Sequence, residues 1–183
     1  YDVVGRIQID KTDKTGNNLT GAGFTLTNSN NPSKVYNVTT SAGQTAFIDD
    51  IPPGTYTLRE SVTPTGYVPS NEVWDVTVDK RGNSSITKRG TDPNSTVSSV
   101  AYNGNNANMR TLNPSVGALM VVNVKSKIKI KKVEFASRTT PIDGAEFELY
   151  KESGSGKVTT GKKATTDASG LLEFEILETN KVY

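Results

Sequence analysis

The chain contains no cysteine and no histidine. The first absence removes disulfides, thiolate nucleophiles and thiolate metal ligands; the second removes the Ser-His-Asp triad and the histidine zinc site. Most familiar hydrolase chemistry goes with them, and no cofactor or metal is expected. An excess of one charge is missing too: 21 Lys and Arg against 19 Asp and Glu leave +2 on 183 residues. That is too near balance to imply a nucleic-acid partner, even with a pI near 8.7. Hydrophobic residues make up only 33% of the chain, and no apolar run approaches the ~20 residues that cross a bilayer. No membrane span is expected. The chain opens Tyr-Asp-Val-Val with neither initiator Met nor signal peptide, so it reads as an internal fragment, long enough for one large domain or two small ones.

What is present is 24 Thr, 16 Gly and 16 Asn, β-branched and turn-forming residues in place of the Ala, Leu and Glu of helical proteins. An all-β chain follows. Such a composition suits an exported surface protein, although cytosolic proteins also lack cysteine. Period-two alternation supports the strands. In Gly5 to Lys11, residues Ile7, Ile9 and Lys11 share one face while Arg6, Gln8 and Asp10 share the other. A lysine therefore stands in phase with the core. Further strands are expected at Gly23 to Leu26, Val35 to Thr39 and Thr45 to Ile48, then after the Ile51-Pro52-Pro53-Gly54 turn. In Thr55 to Glu60, residues Tyr56, Leu58 and Glu60 fall together, so a carboxylate also points inward. Val73 to Asp79 puts Trp74, Val76 and Val78 on one face, and Ser85 to Lys88 follows. Residues 89 to 116 show no periodicity and read as a long insertion, either a solvated loop or a small hairpin or ligand-facing excursion. Ala118 to Val124 is apolar on both faces, as a central strand is, with Asn123 in phase with Leu119 and Val121.

An internal repeat begins next. Arg6 to Lys11 aligns with Lys127 to Lys132, Leu19 to Leu26 with Ile142 to Leu149, and Ser41 to Phe47 with Ala168 to Phe174. The expected organisation is a domain over 1–125 with the insertion at 89–116, and a second over 126–183 that stops where the counterpart of Tyr56 to Glu60 should begin. With almost no linker between Val124 and Lys127, the two modules are expected to join nearly strand into strand as a stiff rod.

The pattern I-x-I-x-K-T-D with G-A-x-F-x-L, then I-P-P-G-T-Y-T-L-R-E-S-V-T-P-T-G-Y and a late V-V-N-V strand, resembles the collagen-adhesin B-type (CnaB) domains of Gram-positive pilins and adhesins. The resemblance covers about Gly5 to Val124 apart from the insertion, and again Lys127 to the end. It implies tandem CnaB or Ig-like β-sandwiches, the second truncated. It also implies an isopeptide bond between a first-strand lysine and a last-strand asparagine, assisted by an acidic residue, at positions matching Lys11, Asn123 and Glu60. Elementary chemistry asks for the same residue types: attack on a carboxamide needs a neutral amine, which burial favours, and burial equally favours a protonated carboxyl that can relay the proton for departing ammonia. Against this, a strand-end lysine often snorkels and an inward glutamate often meets an arginine.

In the second unit Lys132 is the candidate lysine by phase with Ile128 and Ile130, while Lys125, Lys127, Lys129 and Lys131 face outward as a solvated stripe. Asp10 has outward parity, and Asp13 with Lys14 belongs to a turn. Gly154-Ser155-Gly156-Lys157 lacks the earlier glycine and following Ser or Thr of a phosphate loop, Asp92-Pro93-Asn94 lacks the other ligands of a calcium loop, and Trp74 is expected in the core rather than in a groove with Tyr67. The function these features imply is a structural stalk of a secreted, cell-wall-anchored pilin or adhesin whose only chemistry is single-turnover self-crosslinking. Its partners would be other pilin subunits or domains of the same protein, with sortase implied by the resemblance alone. The alternative is an adhesin module that contacts a host extracellular matrix protein or glycan through 89–116. An accessory β-domain of a secreted enzyme is a third reading, without a turnover site to support it.

Overall fold

The computed structural model describes residues 3–42, 45–90, 98–103, 116–175, 177–178 and 181–183, with 98–103 described through the backbone. The chain divides into two compact units, one of Tyr1–Pro64 with Val68–Val124 and the other of Lys125–Tyr183 with Thr65–Tyr67. Every helix or strand among the described residues is a strand. In the first unit they are β1 (Gly5–Asp13), β2 (Gly23–Asn28), β3 (Val35–Thr39), β4 (Ala46–Ile51), β5 (Gly54–Val62), β6 (Val73–Val78), β7 (Ser84–Lys88), β8 (Ser98–Asn103) and β9 (Gly117–Asn123). They form a sheet in the order β4-β1-β9-β8 and another in the order β3-β2-β5-β6-β7. Ile7, Ile9, Leu119 and Val121 of the first sheet form one buried core with Phe24, Leu26, Tyr56, Leu58, Trp74, Val76 and Ile86 of the second. Trp74 is fully buried there, as its parity requires.

The first and last strands are parallel neighbours: Ile7 to Asp13 of β1 runs in register with Gly117 to Asn123 of β9. Gln8 and Asp10 of β1 are buried as well as its odd-numbered residues, with Asp10 accepting from Thr45 and Gln8. Within residues 89–116, which show no periodicity, the described residues 98–103 are a strand. Ser98–Asn103 forms β8 and pairs antiparallel with β9 along its whole length. Main-chain hydrogen bonds to an existing strand edge supply what the weak side-chain pattern of Ser-Ser-Val-Ala-Tyr-Asn does not announce. The Asp92-Pro93-Asn94 tract lies outside the described residues.

The second unit contains β10 (Lys127–Lys131), β11 (Glu146–Ser153), β12 (Gly156–Thr165) and β13 (Leu171–Glu175), paired β10-β13 and β11-β12. These pairings match those of β1 with β4 and β2 with β3, as the sequence repeat requires. Its core is Leu149, Leu172, Phe174 and Leu177, with Ile128, Ile130 and Phe147 partly buried against them. The glycine-rich Gly154 to Lys157 tract is the β11-β12 hairpin end, where Ser153 pairs with Gly156.

Two devices recur in both units. Thr40 and Thr166, both nearly inaccessible, make equivalent bridges. Thr40 Oγ1 accepts from Ala22 N–H at 3.1 Å and donates to Leu19 O at 2.9 Å, while Thr166 Oγ1 accepts from Ala145 N–H at 2.9 Å and donates to Ile142 O at 2.8 Å. Likewise Asp13, Asp79 and Asp167 each close a turn by accepting, on Oδ1, the backbone N–H groups two and four residues on. The glycine three residues on, at 16, 82 and 170, takes φ of 84°, 81° and 71°, a conformation that costs other residues about 1 kcal/mol or more. Thr40→Val keeps the shape but strands a buried N–H and a buried carbonyl. It is expected to cost the first unit about 1–3 kcal/mol in denaturant unfolding, with Thr40→Ser recovering most of the loss.

Candidate functional site

Three inward polar side chains meet at one end of the first unit's core. Lys11 continues the Ile7-Ile9 face of β1 and is only 3% exposed. The parallel register sets Lys11 opposite Val121 and Asp13 opposite Asn123. Asn123 thus stands one inward step past the residue beside Lys11, and its exposure is 0%. Glu60 extends the Tyr56-Leu58 face of β5, in cross-strand register with Phe24. The three strands carrying these groups lie in two facing sheets, so the sandwich itself assembles them.

Lys11 Nζ donates to Val121 O at 3.3 Å, and Asn123 Nδ2 donates to Glu60 Oε1 at 3.1 Å. Two acceptors remain without a hydrogen-bond partner in this buried space: Glu60 Oε2 and Asn123 Oδ1. Burial dominates the electrostatics. It lowers the Lys11 ammonium to about 8, against an opposing pull from the Glu60 charge. Burial also raises the Glu60 carboxyl, while the Lys11 charge, the Asn123 hydrogen bond and the Ser70 backbone N–H all work the other way. Each group is therefore pushed toward its neutral form.

The neighbouring candidates separate cleanly from this cluster. Asp13 is occupied by its own turn: burial would raise its carboxyl, but hydrogen bonds from Thr15 and Asn17 outweigh burial and hold it at about 2. Asp10, expected to face outward, is buried on the other face of the sheet, where it accepts from Thr45 Oγ1 at 2.6 Å and Gln8 Nε2 at 3.4 Å. In the second unit Lys132 departs from the inward placement that parity predicts. The ladder of β10 ends at Lys131, and Lys132 is exposed, its N–H bonded to Gly170 O at 2.7 Å and its carbonyl to Ile142 N–H at 3.0 Å. Once the chain leaves the strand, period two no longer sets which way a side chain faces. The outward lysines remain outward and find carboxylates: Lys127 and Lys129 pair with Glu173, and Lys125 with Glu175, across the β10-β13 ladder or next to it.

Glu72 and Lys88 are the residues that sequence reasoning passed over. Glu72 is 3% exposed and forms an ion pair with Lys88 at the end of β7. Parity offers a hint only for Glu72, which precedes Trp74 by two, just before β6 begins; Lys88, in phase with Ile86, is exposed. Among the described residues no group of three or more Asp or Glu side chains is placed to hold a metal ion, and no helix is long and apolar enough to cross a membrane.

Against known proteins, the profile of the SpaA prealbumin-like fold domain matches residues 5–92 and again 126–183. The C-terminal fragment of the pilus adhesin SpaC from Lactobacillus rhamnosus GG superposes with a TM-score of 0.50 at 22% identity, over 68% of this chain and 46% of that one. That likeness is one of fold. The pilus adhesin RrgA from Streptococcus pneumoniae is 35% identical over 49% of this chain and 11% of its own, with a TM-score of 0.43. The Bacillus anthracis TIE protein is 28% identical over 94% of this chain and 26% of its own, with a TM-score of 0.46. The chain thus spans less than half the length of each of these structures. A search of curated proteins returns no match.

Proposed function

Because the chain belongs to the family of SpaA prealbumin-like fold domains, which it matches twice, we propose that it is a structural stalk segment of a Gram-positive pilin or surface adhesin, stiffened by an isopeptide bond that the first unit forms by itself. The observation that carries this reading is the buried Asn123 carboxamide, hydrogen-bonded to Glu60 and set beside a lysine that burial drives toward its neutral amine. Neutral Lys11 Nζ attacks Asn123 Cγ, a new N–C bond forms, the bond to Nδ2 breaks and ammonia leaves. Protonated Glu60 polarises the carboxamide, and its carboxyl carries the proton lost by Nζ to the departing nitrogen. A proton on Glu60 also supplies a donor in a space that holds two unpartnered acceptors. The fold contributes orientation, for which effective molarities of about 10⁵–10⁸ M are the usual scale. The reaction runs once per molecule and has no soluble substrate. Neighbouring domains or subunits of the same surface assembly are the partners this role requires.

A protease digest tests the assignment: mass spectrometry should find one branched peptide joining the Lys11 segment to the Asn123 segment. Recovery of both as separate, unmodified peptides would refute it. The alternative, host-ligand contact through 89–116, must share that segment with the sheet, since Ser98–Asn103 is committed to pairing with β9.

A pH dependence follows for the unlinked protein. In Asn123→Ala the amine of Lys11 stays free, bound more weakly to its proton when folded, at about 8, than when unfolded, at 10.5. Between those values the unfolded chain holds the extra proton, so raising the pH stabilises the fold, and below about 8 the penalty for burying the ammonium is fully present. Chemical denaturation of Asn123→Ala should therefore show stability rising between pH 8 and 10.5. The wild type, whose Lys11 is an amide on this reading, should lack that rise.

A further inference from the structure

Glu60 and Glu72 occupy matching places on the inner face of the larger sheet. Leu58 and Trp74 are cross-strand partners and fully buried. Glu60 lies two residues past Leu58 and Glu72 two residues before Trp74, so both carboxylates continue that face at the same end of the unit. Glu72 is held there from two sides. Its carboxylate is ion-paired with Lys88, and its backbone N–H donates to Ser70 Oγ at 3.2 Å. Ser70, also buried, directs its own backbone N–H at the Glu60 carboxylate.

The segment from Thr63 to Glu72 leaves β5 just after Glu60 and returns at β6. Its return point is fixed by the Lys88-Glu72-Ser70 chain, which ends on the proposed proton carrier. A buried charge is retained only where its partners compensate for lost hydration, so Lys88 keeps Glu72 in place as a charged anchor. We propose that Glu72 is a positioning residue for cross-linking, orienting Glu60 through Ser70 without touching the reacting atoms. This rests on the isopeptide reading above and deepens it. The charged group that acts on the Glu60 carboxyl is Lys11 from β1; Glu72 of the β5-β6 connection is taken up by its ion pair with Lys88 of β7, and Asp13 is turned into its own loop.

The test uses the full chain recovered unfolded and refolded by dilution at a series of pH values. Aliquots are quenched in denaturant, and intact mass gives the fraction that has lost ammonia. Glu72→Gln should fold, yet lose ammonia about tenfold more slowly or worse, within the ~10²-fold that misplacement of a reacting group costs. Its pH profile should also be displaced from that of wild type, a change that simple loss of stability does not produce. Lys88→Met should behave in the same way, and Glu72→Asp should restore part of the rate. Should Glu72→Gln fail to fold, Glu72→Asp and Lys88→Met carry the test. Glu173→Gln, in the second unit, serves as a control and should match wild type. Unchanged rate and pH profile in folded Glu72→Gln and Lys88→Met, alongside a reactive wild type, would overturn the positioning role alone. A wild type that never loses ammonia would overturn the isopeptide reading and this inference with it.

Discussion

Denatured, the intact protein is expected to weigh one ammonia less than its sequence. A hydrogen bond or ion pair between Lys11 and its neighbours disappears in denaturant, whereas an amide survives it, so mass measured under denaturing conditions separates the two. Asn123→Ala removes the electrophile and Lys11→Ala the nucleophile; each should restore the full calculated mass of its own sequence. Glu60→Ala leaves both reacting groups in place and should restore it too, because the proton path is gone while the amine and the carboxamide stay buried. Glu60→Gln keeps the size and the hydrogen bond to Asn123 but cannot carry a proton, so it separates packing from proton transfer and should be equally unreactive. A second deficit is not expected from the other unit, where the corresponding Lys132 is exposed. A full, unreduced mass for the wild type would sink the proposal.

Loss of the proposed bond should also cost the first unit a large part of its stability. The joined residues are 112 positions apart (123 minus 11), and by analogy with disulfides a cross-link closing a loop of ~100 residues is worth ~4.7 kcal/mol through the entropy of the unfolded chain. At about 2–8 °C per kcal/mol for domains of this size class, Asn123→Ala should melt roughly 10–40 °C below wild type. The buried amine left behind adds to the loss below about pH 8, as its lowered pKa requires. Scanning calorimetry checks this directly, and equal melting temperatures for the two proteins would exclude a bond in the wild type.

The proposed link would also change how the unit carries load. β1 and β9 run parallel and side by side, so tension on the chain entering β1 and leaving β9 shears one strand along the other. A bond from Lys11 to Asn123 routes that tension past residues 12–122. Single-molecule pulling on wild type should release no length from them, and pulling on Asn123→Ala should release it. A stalk needs this kind of inextensibility, and a covalent amide provides it without dependence on redox conditions.

Much of this arrangement was legible in the residues because the signal is local. Period two in β1, β5 and β9 exposes Lys11, Glu60 and Asn123 as polar interruptions of apolar faces, and burial of such groups is costly enough to mark them. The tandem repeat was equally readable, and its pairings follow from it. Other features were not. β8 owes its strand form to the edge of β9 rather than to its own pattern. Asp10 is buried despite its outward parity, where Thr45, distant in sequence, and Gln8 donate to its carboxylate. Lys132 keeps the right phase but lies just past the end of its strand ladder. Thr40 and Thr166 carry no periodic signature, since their role is to satisfy two backbone groups that only the folded turn brings within reach.

The order of residues alone determined that the protein is all β, that it repeats, and that an amine, an acid and a carboxamide point inward, because alternation along a strand is a property of the strand itself. Which of those groups share a space was decided by the sandwich. The parallel pairing of β1 with β9 and the facing of two sheets join positions far apart in sequence, and they also bring in Glu72, Lys88 and Ser70. Burial there favours neutral Lys11 and neutral Glu60 through lost hydration, which depends on everything packed around them and so is a property of the three-dimensional fold.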